Sequence, residues 1–416
     1  MDQPFDRRDF LKTAAGTLAL LLSPRGLAAS QTRPAPVAPG PPVRFGVVGL
    51  GARGREIVEA LGRTEMAQIG AVCDSYEPFL KRAAAGAPRA DTVTDWRRVI
   101  DAPAVDAVVV ATPTPAHREI VVAALQAGKH VYCEAPIAAS IEDARAIAAA
   151  ARSAKDVVFQ GGLQGRANPL YRHVLQFVKS GVLGDVALVN AQWSRKDSWR
   201  RAAPTPERER ALNWRLERDS PGVMGEIGIH QIDLISQYLA SRPAAIVGTG
   251  HVAAWRDGRG TPDTASCLVE YGAVRASTRI TLASSFGGAY TIFQGSNASL
   301  LLKENRGWLI KEADSPLLGW EVYARKESVH DETGIAMVAD ATKLLQAGKE
   351  PGKDGPLEPE KPALVVALES FISSIRTQTP PACGPSEACA ATVAALKANA
   401  AVLSNTRIAL QAEDYT

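Results

Sequence analysis

Two stretches hold residues whose types and spacing could do chemistry. The first is Glu226-Ile227-Gly228-Ile229-His230-Gln231-Ile232-Asp233. If it is helical, Glu226 and His230 share one face at i, i+4, and Asp233 neighbours His230 at i, i+3. An imidazole near its ordinary pKa can take a proton from a hydroxyl, and a carboxylate beside it can orient the ring and stabilise the imidazolium. Asp233 is then either a substrate contact or a structural orienter or salt-bridge partner. The bland alternative is a helix whose histidine and aspartate satisfy each other in the interior. The second stretch is Gly49-Leu50-Gly51-Ala52-Arg53-Gly54. Gly49 allows a tight turn, Gly51 lets a pyrophosphate approach the backbone, and Gly54 lets a helix pack close to a strand. The helix start at Ala52 and Arg53 then offers free N–H groups to phosphate. Asp74 follows about 25 residues after Gly49, near the place where an acidic residue binds the ribose 2′-OH of NAD. Its charge repels a 2′-phosphate, so the expected cofactor is NAD rather than NADP.

These residues need a frame that brings them together. Val43, Phe45, Val47 and Val48 form an apolar run into the glycine turn, and residues 68–72 form a second run ending at Cys73-Asp74. Residues 105–111 read as a buried parallel strand, ended by Thr112-Pro113-Thr114-Pro115. A helix over 116–127 follows, with His117 at its start and Gly128 as its breaker. Residues 129–133 are the next strand, closed by Glu134-Ala135-Pro136. A helix over 140–153 carries Glu142 and Asp143 in its first turn, and 157–160 is a further short strand. Ligands of such sheets bind at the C-terminal strand ends, so Thr112, Pro113, His117, Glu134 and Pro136 are candidate cofactor contacts. A helix-start histidine or a strand-end glutamate can equally be structural. After about residue 163 the texture changes. A helix over 171–179, a strand over 186–193 and an arginine-rich irregular stretch over 195–218 precede strands at 246–252, 265–271, 274–283 and 289–293. Two late helices cover 363–376 and 386–403. The fold class is α/β: an N-terminal Rossmann doubly wound parallel sheet over 43–163, then a C-terminal α+β domain over 164–416 with an open, largely antiparallel sheet.

Composition narrows the classes. The chain has 416 residues and a formal net charge of +3, with no basic block, so nucleic-acid binding has no support. The five cysteines show no zinc spacing, and no metal is expected. Cys383 and Cys389 could pair in an oxidising compartment, which sequence alone leaves open. Residues 1–30 read as an export signal. Asp6-Arg7-Arg8-Asp9-Phe10-Leu11-Lys12 matches a twin-arginine motif, an apolar stretch runs over about 14–22, and Gly26-Leu27-Ala28 offers a cleavage site. The apolar stretch is shorter than the roughly 20 residues that span a bilayer, so no membrane anchor is expected after cleavage and the expected location is periplasmic or otherwise exported. Residues 31–42 read as a Pro-rich linker.

The ordered pieces VRFGVVGLGARG, VVVATPTPAH, AGKHVYCEAPIA, FQGGLQGRANPLYRHV, GVLGDVALV, GEIGIHQIDL and FISSIR resemble the Gfo/Idh/MocA family, the relatives of glucose–fructose oxidoreductase and inositol dehydrogenase. The resemblance implies NAD(P) chemistry on sugars or cyclitols and an open-faced second sheet used for substrate contacts and homo-oligomer formation. It implies that Glu226 and His230 face the nicotinamide, that Glu134 lies near its ribose, and that Arg166 enters the substrate site. Arg195, Lys196, Trp199 and Trp214 are further candidate sugar contacts, because aromatic faces and charged donors suit polyols. One departure stands out: Glu134-Ala135-Pro136 replaces the usual Glu-Lys-Pro, and Ala135 has no donor and no reach. The leading expectation is an exported NAD(H)-dependent oxidoreductase with tightly held cofactor, with His230 as base and Glu226 assisting. The alternative is an NAD-dependent glycoside hydrolase or lyase working by transient oxidation, elimination and re-reduction. A non-catalytic sensor would follow if Ala135 marked a dead site.

Overall fold

Continuous apolar runs form the first sheet. In the computed structural model, which describes residues 40–318, 321, 324–337 and 361–415, β1 (Val43–Val48), β2 (Ala67–Cys73), β3 (Asp91–Val93), β4 (Ala107–Val110), β5 (His130–Cys133) and β6 (Phe159–Gly161) pair in the order β3-β2-β1-β4-β5-β6. Every pairing is parallel. Helices supply the crossovers that parallel strands require: α1 (Ala52–Gly62), α2 (Glu77–Ala84), α3 (Trp96–Asp101), α4 (His117–Gln126) and α5 (Ile141–Ser153). All four residues of β4 are buried, which is why its run is unbroken Val and Ala. Ser140 caps α5 by accepting from the Asp143 amide, and Glu142 and Asp143 complement the helix dipole. The strand order reverses between β1 and β4, and a ligand crevice opens above their C-terminal ends. The twin-arginine stretch lies outside the described residues, as does most of the Pro-rich linker.

The second sheet is built on alternation. α6 (Pro169–Lys179) starts at Asn168, whose side chain accepts from the Leu170 and Tyr171 amides. β7 (Val186–Ser194), α7 (Pro206–Leu212), a π turn at Met224–Gly228 and α8 (Ile229–Tyr238) follow. Then come β8 (Ala245–His251), β9 (Thr264–Tyr271), β10 (Val274–Thr281), β11 (Ala289–Gly295), β12 (Ala298–Lys303), β13 (Arg306–Lys311), β14 (Lys326–Val329) and β15 (Glu332–Met337). With β16 (Arg407–Ala409) they form one sheet, ordered β14-β15-β13-β12-β11-β7-β10-β9-β8-β16. Among the described strands of this sheet, only β7 and β10 pair in parallel. The expectation of a largely antiparallel second sheet therefore holds. β12 to β15 are not legible in the sequence alone. Ala265, Cys267, Val269 and Tyr271 of β9 face inward, while Leu188, Val247 and Leu268 stand exposed on the outer face.

The two late helices return to earlier parts of the chain. Val365, Leu368, Phe371 and Ile372 of α9 (Ala363–Thr377) share a core with Phe45, Val47, Ile57 and Tyr132 of the first sheet and α1. α10 (Pro385–Ser404) packs against α5, β8 and the π turn. Residues 42–416 thus form one compact unit. All five cysteines are buried and unpaired, Cys383 and Cys389 included.

Candidate active site

The glycine turn is shaped by what cannot fit. Gly49 has φ +90°, and a Cβ there would lie 2.6 Å from the Ala111 backbone. A Cβ on Gly54 would lie 1.8 Å from the Gly49 carbonyl oxygen. Gly51 differs: a Cβ there meets nothing within 4 Å, so the backbone faces open space at the start of α1. No side chain caps α1, so Ala52 and Arg53 begin a helix whose leading N–H groups are left for a ligand. Asp74 closes the turn from the β2 end. Its Oδ2 accepts from the Leu50 amide at 2.7 Å, and its Oδ1 accepts from the Tyr76 amide at 2.8 Å. Each oxygen has spent one acceptor site and keeps capacity for a ribose hydroxyl. The cradle fits a dinucleotide.

The neighbouring strand ends complete the crevice. The Thr112 hydroxyl is buried without a hydrogen-bond partner among the described residues, and Pro113 is exposed just after it. Glu134, at the end of β5, lies 3.0 Å from an Arg53 guanidinium nitrogen. Burial raises its pKa, and the Arg53 charge opposes the rise. Arg53 also bonds Glu56 at 3.1 Å, so it reaches from the glycine turn across to β5. Ala135 and a buried Pro136 are joined by a cis peptide. His117 corrects the sequence expectation. It is 1% exposed, its Nε2 donates to the Thr112 carbonyl at 3.0 Å, and its Nδ1 lies 3.5 Å from the Cys133 sulfur. Burial pushes its pKa down to about 4, so the ring is neutral. With both nitrogens engaged it holds the Thr112-Pro113 bend in place and has no atom free for a cofactor.

The π turn and α8 present the acid–base residues. Glu226 accepts from the Thr114 hydroxyl at 3.1 Å and from Arg215 Nε at 2.8 Å. It therefore ties α8 to the turn after β4. Because residues 224–228 form a π turn, the simple α-helical spacing to His230 does not apply. His230 does not pair with Asp233. Asp233 is held by two nitrogens of Arg166, at 2.7–3.0 Å, and both residues are buried or nearly so. That pair borders the cavity, but each member is spent on the other, which departs from the expectation that they contact substrate. No described residue hydrogen-bonds either His230 nitrogen. Its ring stacks on Trp193, with centroids 6.3 Å apart and planes 26° apart. Burial, and then the Arg53 charge, push its pKa down to about 4. His230 and Trp193 line a cavity of about 310 Å³ that also meets Tyr171, Gln231, Tyr290 and Asn305.

Trp214 and Trp199 do not border this cavity. Arg215 lies over both rings, 4.4 Å from the first centroid and 6.0 Å from the second. Their role is to back the arginine that holds Glu226. Arg195 and Lys196 also stand away from the cavity lining, at the exit of β7, where their amides meet the Thr281 carbonyl and the Ser285 hydroxyl. Sequence reading missed Trp193, Gln231 and Arg215. Trp193 carried a signal: it shares the inward phase of Val189 and Ala191 on β7. Arg215 carried none, because its contact with Glu226 depends on an irregular segment.

A glycine cradle fitted to a dinucleotide, next to a neutral histidine in a polar and aromatic cavity, defines a nicotinamide-dependent oxidoreductase. The comparisons agree. The model of the oxidoreductase family with NAD-binding Rossmann fold matches residues 43–161, and the model of the family's C-terminal domain matches 171–301. The chain belongs to the Gfo/Idh/MocA family. It is 27% identical over 323 residues to an uncharacterised oxidoreductase of Streptococcus pneumoniae, covering 76% of this chain and 83% of that one. It is 29% identical over 158 residues to the levoglucosan dehydrogenase of Pseudarthrobacter phenanthrenivorans, covering only 38% of each. The structure of a levoglucosan dehydrogenase in complex with NADH and levoglucosan superimposes with a TM-score of 0.69 at 16% identity, over 88% of this chain and 99% of that one. At that identity it supports the fold alone.

Proposed function

We propose that the protein is an NAD(H)-dependent oxidoreductase acting on a secondary hydroxyl of a sugar, glycoside or cyclitol, with His230 as the base. The observation that carries this is His230 itself: a neutral imidazole with both nitrogens unclaimed among the described residues, set on an aromatic face in the cavity and within reach of the Arg53 charge at the cofactor crevice. When bound, NAD supplies the two-electron acceptor for the alcohol carbon. Everything else is the work of side chains. His230 accepts the hydroxyl proton as the carbonyl forms. Glu226 positions α8 relative to the strand ends through Thr114 and Arg215. Trp193 fixes the plane of the imidazole. Ala135 offers no ammonium, so His230 is the proton acceptor without help from that position. The experiment is His230→Asn, assayed by nicotinamide absorbance with the best polyol substrate. kcat falls by about 10²–10⁴-fold, while NADH affinity stays within about twofold. Full turnover by the variant would sink the assignment. Release of aglycone from aryl glycosides with no net NADH would favour the hydrolase alternative.

The same reading takes residues 1–30 as a twin-arginine signal and the cofactor as retained through export. The Arg7-Arg8 pair, the short apolar stretch and Ala28 support it. Arg7→Lys with Arg8→Lys strands the protein in the cytoplasm, and periplasmic recovery of that double variant would refute the signal. NAD seen by native mass spectrometry of the exported protein checks retention. Exposed Leu188, Val247 and Leu268 on one open sheet face support a homo-oligomer through that face. A monomeric mass by light scattering would count against it.

A further inference from the structure

The cavity beside His230 has a consistent chemical bias. Its uncharged polar lining is rich in carboxamides, among them Gln164, Asn168, Gln231, Gln237 and Asn305. Its one guanidinium, Arg166, is spent on Asp233. A fork committed to an internal carboxylate has little left for the carboxylate or phosphate of a ligand. The remaining charged side chain of the lining is Glu304, which is exposed and has no ion-pair partner among the described residues. It repels anions from the same space.

Gln231 gives this bias a focus. It follows His230 on α8, is 5% exposed, and borders the cavity. Neither its amide oxygen nor its amide nitrogen has a hydrogen-bond partner among the described residues. Buried side-chain amides orphaned at both ends are uncommon, and each calls for a reason. A carboxamide holds one acceptor and two donors in a plane, which matches a pair of adjacent hydroxyls. Trp193 adds an aromatic wall to the same cavity.

We propose that Gln231 is a specificity-determining residue: its amide takes two adjacent hydroxyls of the bound ring, which supply the partners it lacks, and the lining around it selects uncharged rings over anionic ones. This rests on the oxidoreductase reading above and narrows it. The test is calorimetric titration of the NADH-loaded protein with myo-inositol, D-glucose and 1,5-anhydro-D-glucitol, against D-glucuronate and D-glucose 6-phosphate. The expected result is that the best neutral ligand binds about 100-fold tighter than either anion. Gln231→Leu weakens that ligand by about tenfold or more, raising KM more than it lowers kcat, while NADH affinity, which reports the folded state, is unchanged. Equal or tighter binding of the anions overturns the proposal. So does wild-type affinity of Gln231→Leu for the best neutral ligand. Oxidation of glucuronate at a rate that depends on His230 would overturn this inference and leave the oxidoreductase reading standing.

Discussion

Two arginines govern the charges around the site, and they act in different ways. Arg215 holds Glu226 by a direct bond. Arg53 acts on His230 through space, since its charge helps keep the imidazole unprotonated. A base must be neutral to accept a proton, so activity in the oxidative direction rises with pH through the His230 pKa and is flat above it. With that pKa at about 4, the acid limb lies well below neutrality. Removing the cation favours the imidazolium, which moves the limb upward toward the ordinary histidine value of about 6.5. Arg53→Ala is therefore expected to move the acid limb of kcat/KM profiles at saturating NAD to higher pH, only part of the way because burial, the larger cause, remains, while activity at pH 8 is retained. An unshifted limb would show that burial alone sets the histidine. Arg53 stood in the sequence as one residue of a phosphate-binding turn. Its partner Glu134 ends another strand, and nothing local announces that the two meet.

At the scale of elements, the glycine turn separates folding from binding. Gly54 and Gly49 exclude side chains because protein backbone fills the space, whereas Gly51 faces space that no protein atom fills. Gly54→Ala is accordingly expected to lower the melting temperature of the protein and abolish cofactor binding together. Gly51→Ala should keep the melting temperature within a few degrees yet weaken NADH binding by about tenfold or more, because its methyl group intrudes only on the ligand. Its φ of −57° lies outside the left-handed region that favours glycine. Equal thermal losses in the two variants would contradict this division. The contrast also explains what the sequence makes legible. A strand, glycine turn and helix are dictated by residues a few positions apart, so β1, α1 and Asp74 can be placed from sequence alone. The cavity depends on β7 lying between β10 and β11 and facing α8. That register is non-local, so Trp193 could be read as a strand residue but not as the partner of His230. The π turn is equally invisible: nothing in Met224 to Gly228 marks a wider turn, and the bonds of Glu226 to Thr114 and Arg215 join it to residues distant or irregular in the chain.

Across the whole molecule, the chain closes on itself in a way that the two matched family ranges do not include. α9 lies beyond residue 301, yet its apolar face completes the core under the first sheet. Phe371 is fully buried and meets Tyr132 edge-on at 5.8 Å and Phe45 at 6.2 Å. The sequence shows that 363–376 is an amphipathic helix but not which sheet it covers, because its valines and leucines would suit either. A cofactor domain cut at residue 163 therefore lacks one wall. Phe371→Ala leaves a cavity against β1 and β5, the strands that carry the glycine turn and Glu134. Truncations of this kind cost about 3–5 kcal/mol, a large part of the stability of an ordinary domain. The variant should unfold at a lower denaturant midpoint with unchanged slope. It should also bind NADH more weakly below that midpoint, although Phe371 is remote in sequence from the glycine turn. Loss of stability with fully preserved NADH affinity would mean that the core α9 completes does not shape the cofactor crevice. Loss of both would show that α9, outside both matched family ranges, completes the nucleotide site of this enzyme.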